Sequence, residues 1–368
     1  MIKSIHIRNF KSLKDISMTP SNLNLLMGLN GMGKSSFIQS MLLLRQNTDS
    51  GLGKIALNGL LTEIGNGRDA LYQDAVDEVI GFDFEMESDD VSDTFSCRLK
   101  YHAESNVLDN NAKWQVEQMM RYPLFNNDFQ YLTAERTGPQ TDYPMSYDDV
   151  VNKNQLGTKG EYSIHYLSVF GTAVEVPVAL RHHKAKSSTL LHQTAAWLGE
   201  ISPDVRLDIQ EQPSTNKVTL NYLFANKELL SQKIRPKNVG YGISYVLPVI
   251  VALLNVKRDK IVVIENPEAH IHPKGQATMG RLIALAAAAG MQVFVETHSD
   301  HIVNGIRVAV KENEIDSKKV NIEYFTRKVT EDEQFSKIQN IKVDRNGELS
   351  DYPTDFMDEW NNQLLKLI

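Results

Sequence analysis

Residues 28 to 36 read GLNGMGKSS and satisfy the pattern G-x-x-x-x-G-K-[ST]. That spacing makes a phosphate cradle. Gly28, Gly31 and Gly33 let backbone N–H groups close on an anion, Asn30 and Ser36 complete the loop, and the N-terminus of a following helix adds a favourable field. Lys34 is placed to neutralise β and γ phosphates, and the Ser35 hydroxyl to ligate Mg²⁺. Two further stretches carry chemistry. In IVVIENPEAHIHP, residues 261 to 273, four apolar residues end in an acid. This describes a buried strand that delivers the Glu265 carboxylate to a sheet rim, where it holds the metal or its water. In VFVETHSD another apolar strand leads to His298, within reach of a γ phosphate or attacking water. Alone, His298 is an ordinary strand-end histidine; beside the other two motifs it reads as part of a site.

The elements that must hold these residues are visible around them. Ile2 to Ile7 alternates as a strand, and Ile16 to Met27 reads as a second strand running into the glycine loop. Phe37, Ile38, Met41, Leu42 and Leu44 recur at helical spacing between Lys34 and Gln46, so the loop joins a strand to a helix. Residues 51 to 101 are β-rich, and a further strand ends in YLTAERTGPQ, residues 131 to 140. The later runs NVGYGISYVLPVIVALL, IVVIE, MGRLIALAAAAG and QVFVETHS alternate helix and strand, the mark of a parallel sheet wrapped by helices. The tail reads as a strand, a turn at Asn346 and Gly347, and a short terminal helix. The expected fold is α/β with a mostly parallel core sheet and an N-terminal antiparallel β portion. Its segments are 1–140, an inserted mixed helical domain or arm at 141–235, 236–310, and a C-terminal subdomain at 311–368. No repeat or sustained heptad is present, so the insertion is not a long coiled-coil arm.

Bulk properties narrow the class. With 368 residues, 42% hydrophobic and 23% charged, the chain reads as a soluble globular protein of more than one module. No window reaches the roughly 18 consecutive apolar residues of a membrane span, so no membrane partner is expected. The N-terminus lacks the pattern of a secretion signal, and the single cysteine, Cys97, fits a reducing cytoplasm. A net charge of -7 argues against a surface coated for nucleic acid while leaving room for a local basic patch. RHHKAK (181–186) and KIRPK (233–237) are the basic windows in or beside the insertion, read either as solvated faces or as contacts to a phosphate backbone. His182, His183 and His192 do not form a metal set, because no cysteine or closely spaced acid joins them.

The joint order of IRNFKSL, GLNGMGKSS, YLTAERTGP, NVGYGIS, IENPEAHIHPKGQ and ETHSDHIVNGIR resembles the ABC-type P-loop ATPase heads of the SMC, RecF and OLD group. In particular it resembles bacterial AAA-family ATPases with a short C-terminal domain of unknown function. The resemblance covers nearly the whole chain outside the insertion. It implies ATP and Mg²⁺ as cofactors, Lys34 and Ser35 as the Walker A lysine and metal ligand, Glu265 as the Walker B acid, and His298 as the switch histidine. It matches NVGYGIS, residues 238 to 244, to the signature that reaches the γ phosphate held by an opposite subunit. The contact falls to Asn238 or to Ser244, with Gly240 and Gly242 beside them. Gln140 is either the glutamine linking metal to insertion or a solvated loop residue. The loop containing His270 and His272 crosses to the partner head in such ATPases.

One position departs from that pattern. Asn266 stands where most ABC heads carry a catalytic glutamate; it can orient a water but cannot take its proton. Glu268 is either the substitute base or a structural residue. Slow hydrolysis, with ATP acting chiefly as a clamp, is therefore expected. A signature read in trans implies a homodimer with ATP sandwiched between two copies. Only about 70 residues follow His298 and they contain no D-x-D, so an intrinsic Toprim nuclease is not expected. The leading expectation is an ATP-gated dimeric switch controlling a separate effector, a nuclease or toxin, in bacterial anti-phage defence. The alternatives are a RecF- or SMC-like repair ATPase that clamps DNA directly, and a degenerate ATP-binding scaffold.

Overall fold

A computed structural model describes residues 1–89, 91–226 and 229–367. The chain is α/β and forms two compact units, each assembled from separated stretches of sequence. The first comprises Met1–Phe129, Val320–Asp344 and Glu348–Ile368; the second comprises Gln130–Lys319 with Arg345–Gly347.

In the first unit a four-stranded antiparallel sheet runs in the order Leu13–Met18, Ile2–Phe10, Val79–Ser88, Val91–Lys100. Period-two alternation puts Ile5 and Ile7 in the core, with Ile5 opposite both Met18 and Phe84, while Arg8 faces outward. Phe10 and Phe82 meet edge to face at 5.2 Å. Apart from this sheet, Leu23–Met27 pairs in parallel with Val320–Val329, whose other neighbour is the antiparallel strand Gln334–Lys342. All five residues of Leu23–Met27 are buried, as a strand covered on both faces requires. The expected single strand from Ile16 to Met27 is thus two strands, ending at Met18 and restarting at Leu23. The break has a physical cause: Pro20 lacks a donor, and the buried Asn24 amide closes a turn by accepting from the Ser21 N–H and donating to the Ser21 carbonyl, each at 2.8 Å. The helix Lys34–Gln46 then buries Phe37, Ile38 and Met41, with Phe37 against Phe325.

In the second unit Ile261–Glu265 and Gln292–Glu296 pair in parallel, and Phe129–Leu132 lies on the far side of Ile261–Glu265. The helices Tyr241–Leu254, Pro273–Ala288 and Asp300–Lys311 accompany these strands. Residues 141 to 226 supply the helices Ser163–Phe170 and Leu190–Leu198 and an antiparallel pair, Val205–Gln212 with Lys217–Asn226. Among the described residues no helix is long and apolar enough to cross a membrane.

Candidate functional site: a phosphate loop and an acid–histidine cluster

The phosphate loop is built by the strand before it and the helix after it. Gly28, Gly31 and Gly33 all have positive φ, at 130°, 76° and 104°. At Gly28 the close approach is also steric, since a Cβ would lie 2.3 Å from the Phe325 carbonyl oxygen. Gly33 is the N-cap of the helix Lys34–Gln46 and supplies no side chain there, so the positive end of the helix dipole lies at the glycine loop, where it favours an anion. Lys34 is buried within the loop, its Nζ donating to the Gly28 and Leu29 carbonyls at 2.8 and 2.9 Å. Asn30, Gly31 and Ser35 are exposed and Ser36 is half-buried. Arg327 braces the loop by donating to the Gly31 carbonyl at 2.8 Å. A narrow cradle, an uncapped helix and a lysine held inside the loop fit a nucleotide's phosphates.

The second unit gathers the acid and the histidine. Glu265 ends its strand half-buried, one carboxylate oxygen accepting from the Tyr131 hydroxyl at 3.0 Å and the other from the Ala134 N–H at 3.1 Å. These two bonds hold the carboxylate in place and leave it lone pairs for further partners. Burial first, then the Glu265 charge, raises the Tyr131 phenol above its usual range, which keeps it a donor. Arg136 is buried and donates to the backbone carbonyls of Glu265 and Asn266, the latter at 3.0 Å. Burial lowers its guanidinium to about 10 against the raising influence of Glu268 and Glu265.

Asn266 has a left-handed φ of 46°, which asparagine tolerates better than most side chains, and its N–H donates to the Glu296 carbonyl at 2.8 Å. Its side-chain amide makes no hydrogen bond among the described residues, so it is available to orient a water. Glu268 accepts the backbone N–H of His298 on Oε1 at 2.9 Å. Its Oε2 is buried and has no partner among the described residues. His298 itself is exposed and precedes Ser299, which caps the helix Asp300–Lys311 by accepting from the Ile302 N–H. The structure therefore places Glu265 at the end of one of two adjacent parallel strands and Asn266, Glu268 and His298 on the loops that follow them.

The signature divides by exposure. Asn238 and Gly240 are exposed, whereas Ser244 is buried, its hydroxyl among Tyr143, Tyr222 and Ser163 without a well-formed hydrogen bond. A Cβ on Gly242 would lie 2.3 Å from the His270 carbonyl oxygen, so this glycine lets the helix start pack on the loop after Glu265. Tyr245 reinforces that contact, edge-on to His270 at 4.7 Å. Around Gly240 nothing lies within 4 Å of where a Cβ would stand. Gln140 is exposed, and among the described residues only its backbone N–H is bonded, donating to the Tyr143 hydroxyl at 3.2 Å.

The basic windows are partly committed within the chain. Arg181 donates to the Val176 carbonyl, Lys184 pairs with Glu200 at 2.8 Å, and Lys233 pairs with Asp208 at 2.8 Å. Among the described residues no group of three or more His, Cys, Asp or Glu side chains could hold a metal ion.

Residues 100–304, more than half of the chain, match the family described as "AAA domain, putative AbiEii toxin, Type IV TA system", and the chain belongs to that family. Residues 1–169 match an AAA ATPase domain, and residues 315–367 a protein family of unknown function. No curated protein sequence matches. Among solved structures, an SMC head bound to the C-winged helix domain of ScpA is similar with a TM-score of 0.58 at 13% identity, over 93% of this chain and 98% of that one. An SMC head domain with an extended coiled coil, bound to the C-terminal domain of ScpA derived from Pyrococcus furiosus, gives 0.55 at 11% identity, over 100% and 98%. At such identities the likeness is one of fold: the chain has an SMC-head-like fold, and its ATPase family implies nucleotide binding.

Tyr131, Ala134 and Arg136, which hold Glu265 and its strand end, were not singled out from residue type. Their only signal was their place in YLTAERTGP, one of the stretches carrying the family resemblance.

Proposed function

We propose that this protein binds ATP with Mg²⁺, hydrolyses it slowly, and uses it to hold two copies of the chain together as a switch over a separate effector. Lys34 and the loop N–H groups would receive the phosphates, and Ser35 and Glu265 would serve as metal ligands. Bound Mg²⁺ would neutralise charge on the β and γ phosphates. Asn266 would orient the attacking water and His298 would meet the γ phosphate, while Glu268 holds the His298 backbone in place.

The observation that carries the pairing is the start of the 14-residue helix Tyr241–Leu254. It has no side-chain cap, and it begins at an exposed glycine, Gly240, that no described residue crowds. An uncapped helix start facing solvent suits an anion brought by another molecule. We assign the trans contact to Asn238 and the Gly240 backbone, since Ser244 is buried. The family description names a putative toxin of a type IV toxin–antitoxin system, which is consistent with a place in a system built around an effector; we propose that the system serves anti-phage defence and that the effector is a separate chain. Internal pairing of Lys184 and Lys233 weakens the DNA-clamp alternative.

Steady-state ATPase assays on Glu268→Gln and Glu268→Ala test the chemistry. Glutamine keeps an acceptor for the His298 N–H; alanine does not. The expected result is wild-type turnover well below the ~10 per second of a typical enzyme, little changed in Glu268→Gln and about tenfold lower in Glu268→Ala. Fast wild-type turnover lost equally in both variants would make Glu268 the general base and contradict this reading.

A further inference from the structure

The strand Val205–Gln212 lies at the end of its sheet, paired with Lys217–Asn226 on one side and with no other strand among the described residues. An edge of this kind presents unpaired backbone donors and acceptors. Against it, between the strand and the helix Leu190–Leu198, lies a cavity of about 360 Å³. Leu191, Ala195 and Leu207 give it an apolar floor. Four cations, Lys184, Lys186, Arg206 and Lys274, face two carboxylates, Glu200 and Asp204, leaving an excess of positive charge. Lys184 is paired with Glu200, and Lys274 acts on the same carboxylate. The side chains of Lys186 and Arg206 make no hydrogen bond or ion pair with any described residue.

We propose that this edge and cavity are a docking site for an extended acidic peptide segment of a partner protein. The segment adds a strand to Val205–Gln212, sets an aliphatic side chain on the apolar floor, and places carboxylates against Lys186 and Arg206. A peptide fits better than a nucleic acid because the exposed edge offers backbone pairing to an extended chain and the cavity lining contains Leu191, Ala195 and Leu207 but no Phe, Tyr or Trp on which successive bases could stack. The site also has a route to the nucleotide chemistry. Lys274 lies in the first turn of Pro273–Ala288, directly after the loop that carries Glu268. The docking itself requires no ATP, so it stands or falls apart from the nucleotide reading.

The test uses the full chain without nucleotide and a fluorescein-labelled alternating glutamate–leucine octapeptide, followed by fluorescence anisotropy. The expected result is saturable binding that weakens at least tenfold in the Lys186→Glu, Arg206→Glu double variant, whose unfolding temperature is unchanged because both side chains are unbonded. The same peptide with alternate backbone amides N-methylated should lose a similar factor. The proposal is overturned if the acidic peptide does not bind, if it binds the double variant equally well, or if a single-stranded oligothymidylate uses these two residues in preference to the peptide.

Discussion

The Glu268 carboxylate, split between one oxygen on the His298 backbone and one buried without a partner among the described residues, shows how a single side chain ties two loops together. Two histidines make a different residue-scale statement. His165 accepts the Ser146 N–H on Nδ1 at 3.2 Å, and His182 accepts the Lys184 N–H on Nδ1 at 3.3 Å. Burial lowers both below the usual histidine range, outweighing Glu200 at His182 and Glu211 at His165. Because the folded chain holds these rings neutral while the unfolded chain protonates near pH 6.5, their stabilisation is complete above that pH. It is lost as pH falls toward the depressed folded values. Thermal unfolding should therefore occur at lower temperature at pH 5 than at pH 7.5, and the difference should shrink in the His165→Asn, His182→Asn double variant; an unchanged difference would refute the assignment. At this scale Lys34, Ser35, Glu265 and His298 were legible because residue type and local spacing define their chemistry. Arg136 was not, because its partners lie about 130 positions away and no local pattern announces that a guanidinium will meet the carbonyls of Glu265 and Asn266.

Among elements, the two glycines of the signature separate packing from function. Gly242→Ala would drive a methyl into the His270 carbonyl, so the helix start must shift; a destabilisation of about 1–3 kcal/mol follows. Gly240→Ala meets open space at a φ of -57° that alanine adopts freely, so stability should be nearly unchanged. If the exposed helix start serves a nucleotide held by another copy, Gly240→Ala should nonetheless weaken ATP-dependent pairing. Denaturant titration of both variants, alongside their mass with ATP and Mg²⁺, checks the contrast; equal destabilisation by the two substitutions would remove it. The sequence made the strands Ile261–Glu265 and Gln292–Glu296 plain, since both are short apolar runs buried throughout or nearly so. It misjudged Ile16 to Met27 because apolar content continues across the Pro20 turn, and composition alone does not register that the Asn24 side chain closes it.

For the whole molecule, chain order conceals the assembly. Val320–Val329 pairs in parallel with Leu23–Met27 across roughly three hundred positions, so the compact first unit joins the two ends of the chain. Hydrophobic periodicity reports which residues are buried and says nothing of which distant strand they meet. The α/β class and the phosphate-loop setting survive that blindness because a strand, a glycine loop and a helix are contiguous in sequence. The central claim is that ATP completes its site only between two copies of this chain. Its most direct test is molar mass by light scattering after size exclusion, with and without ATP and Mg²⁺. Twice the chain mass with nucleotide, the single-chain mass without it, and the single-chain mass in both conditions for Lys34→Ala are predicted; a wild-type mass indifferent to a bound nucleotide would contradict the account.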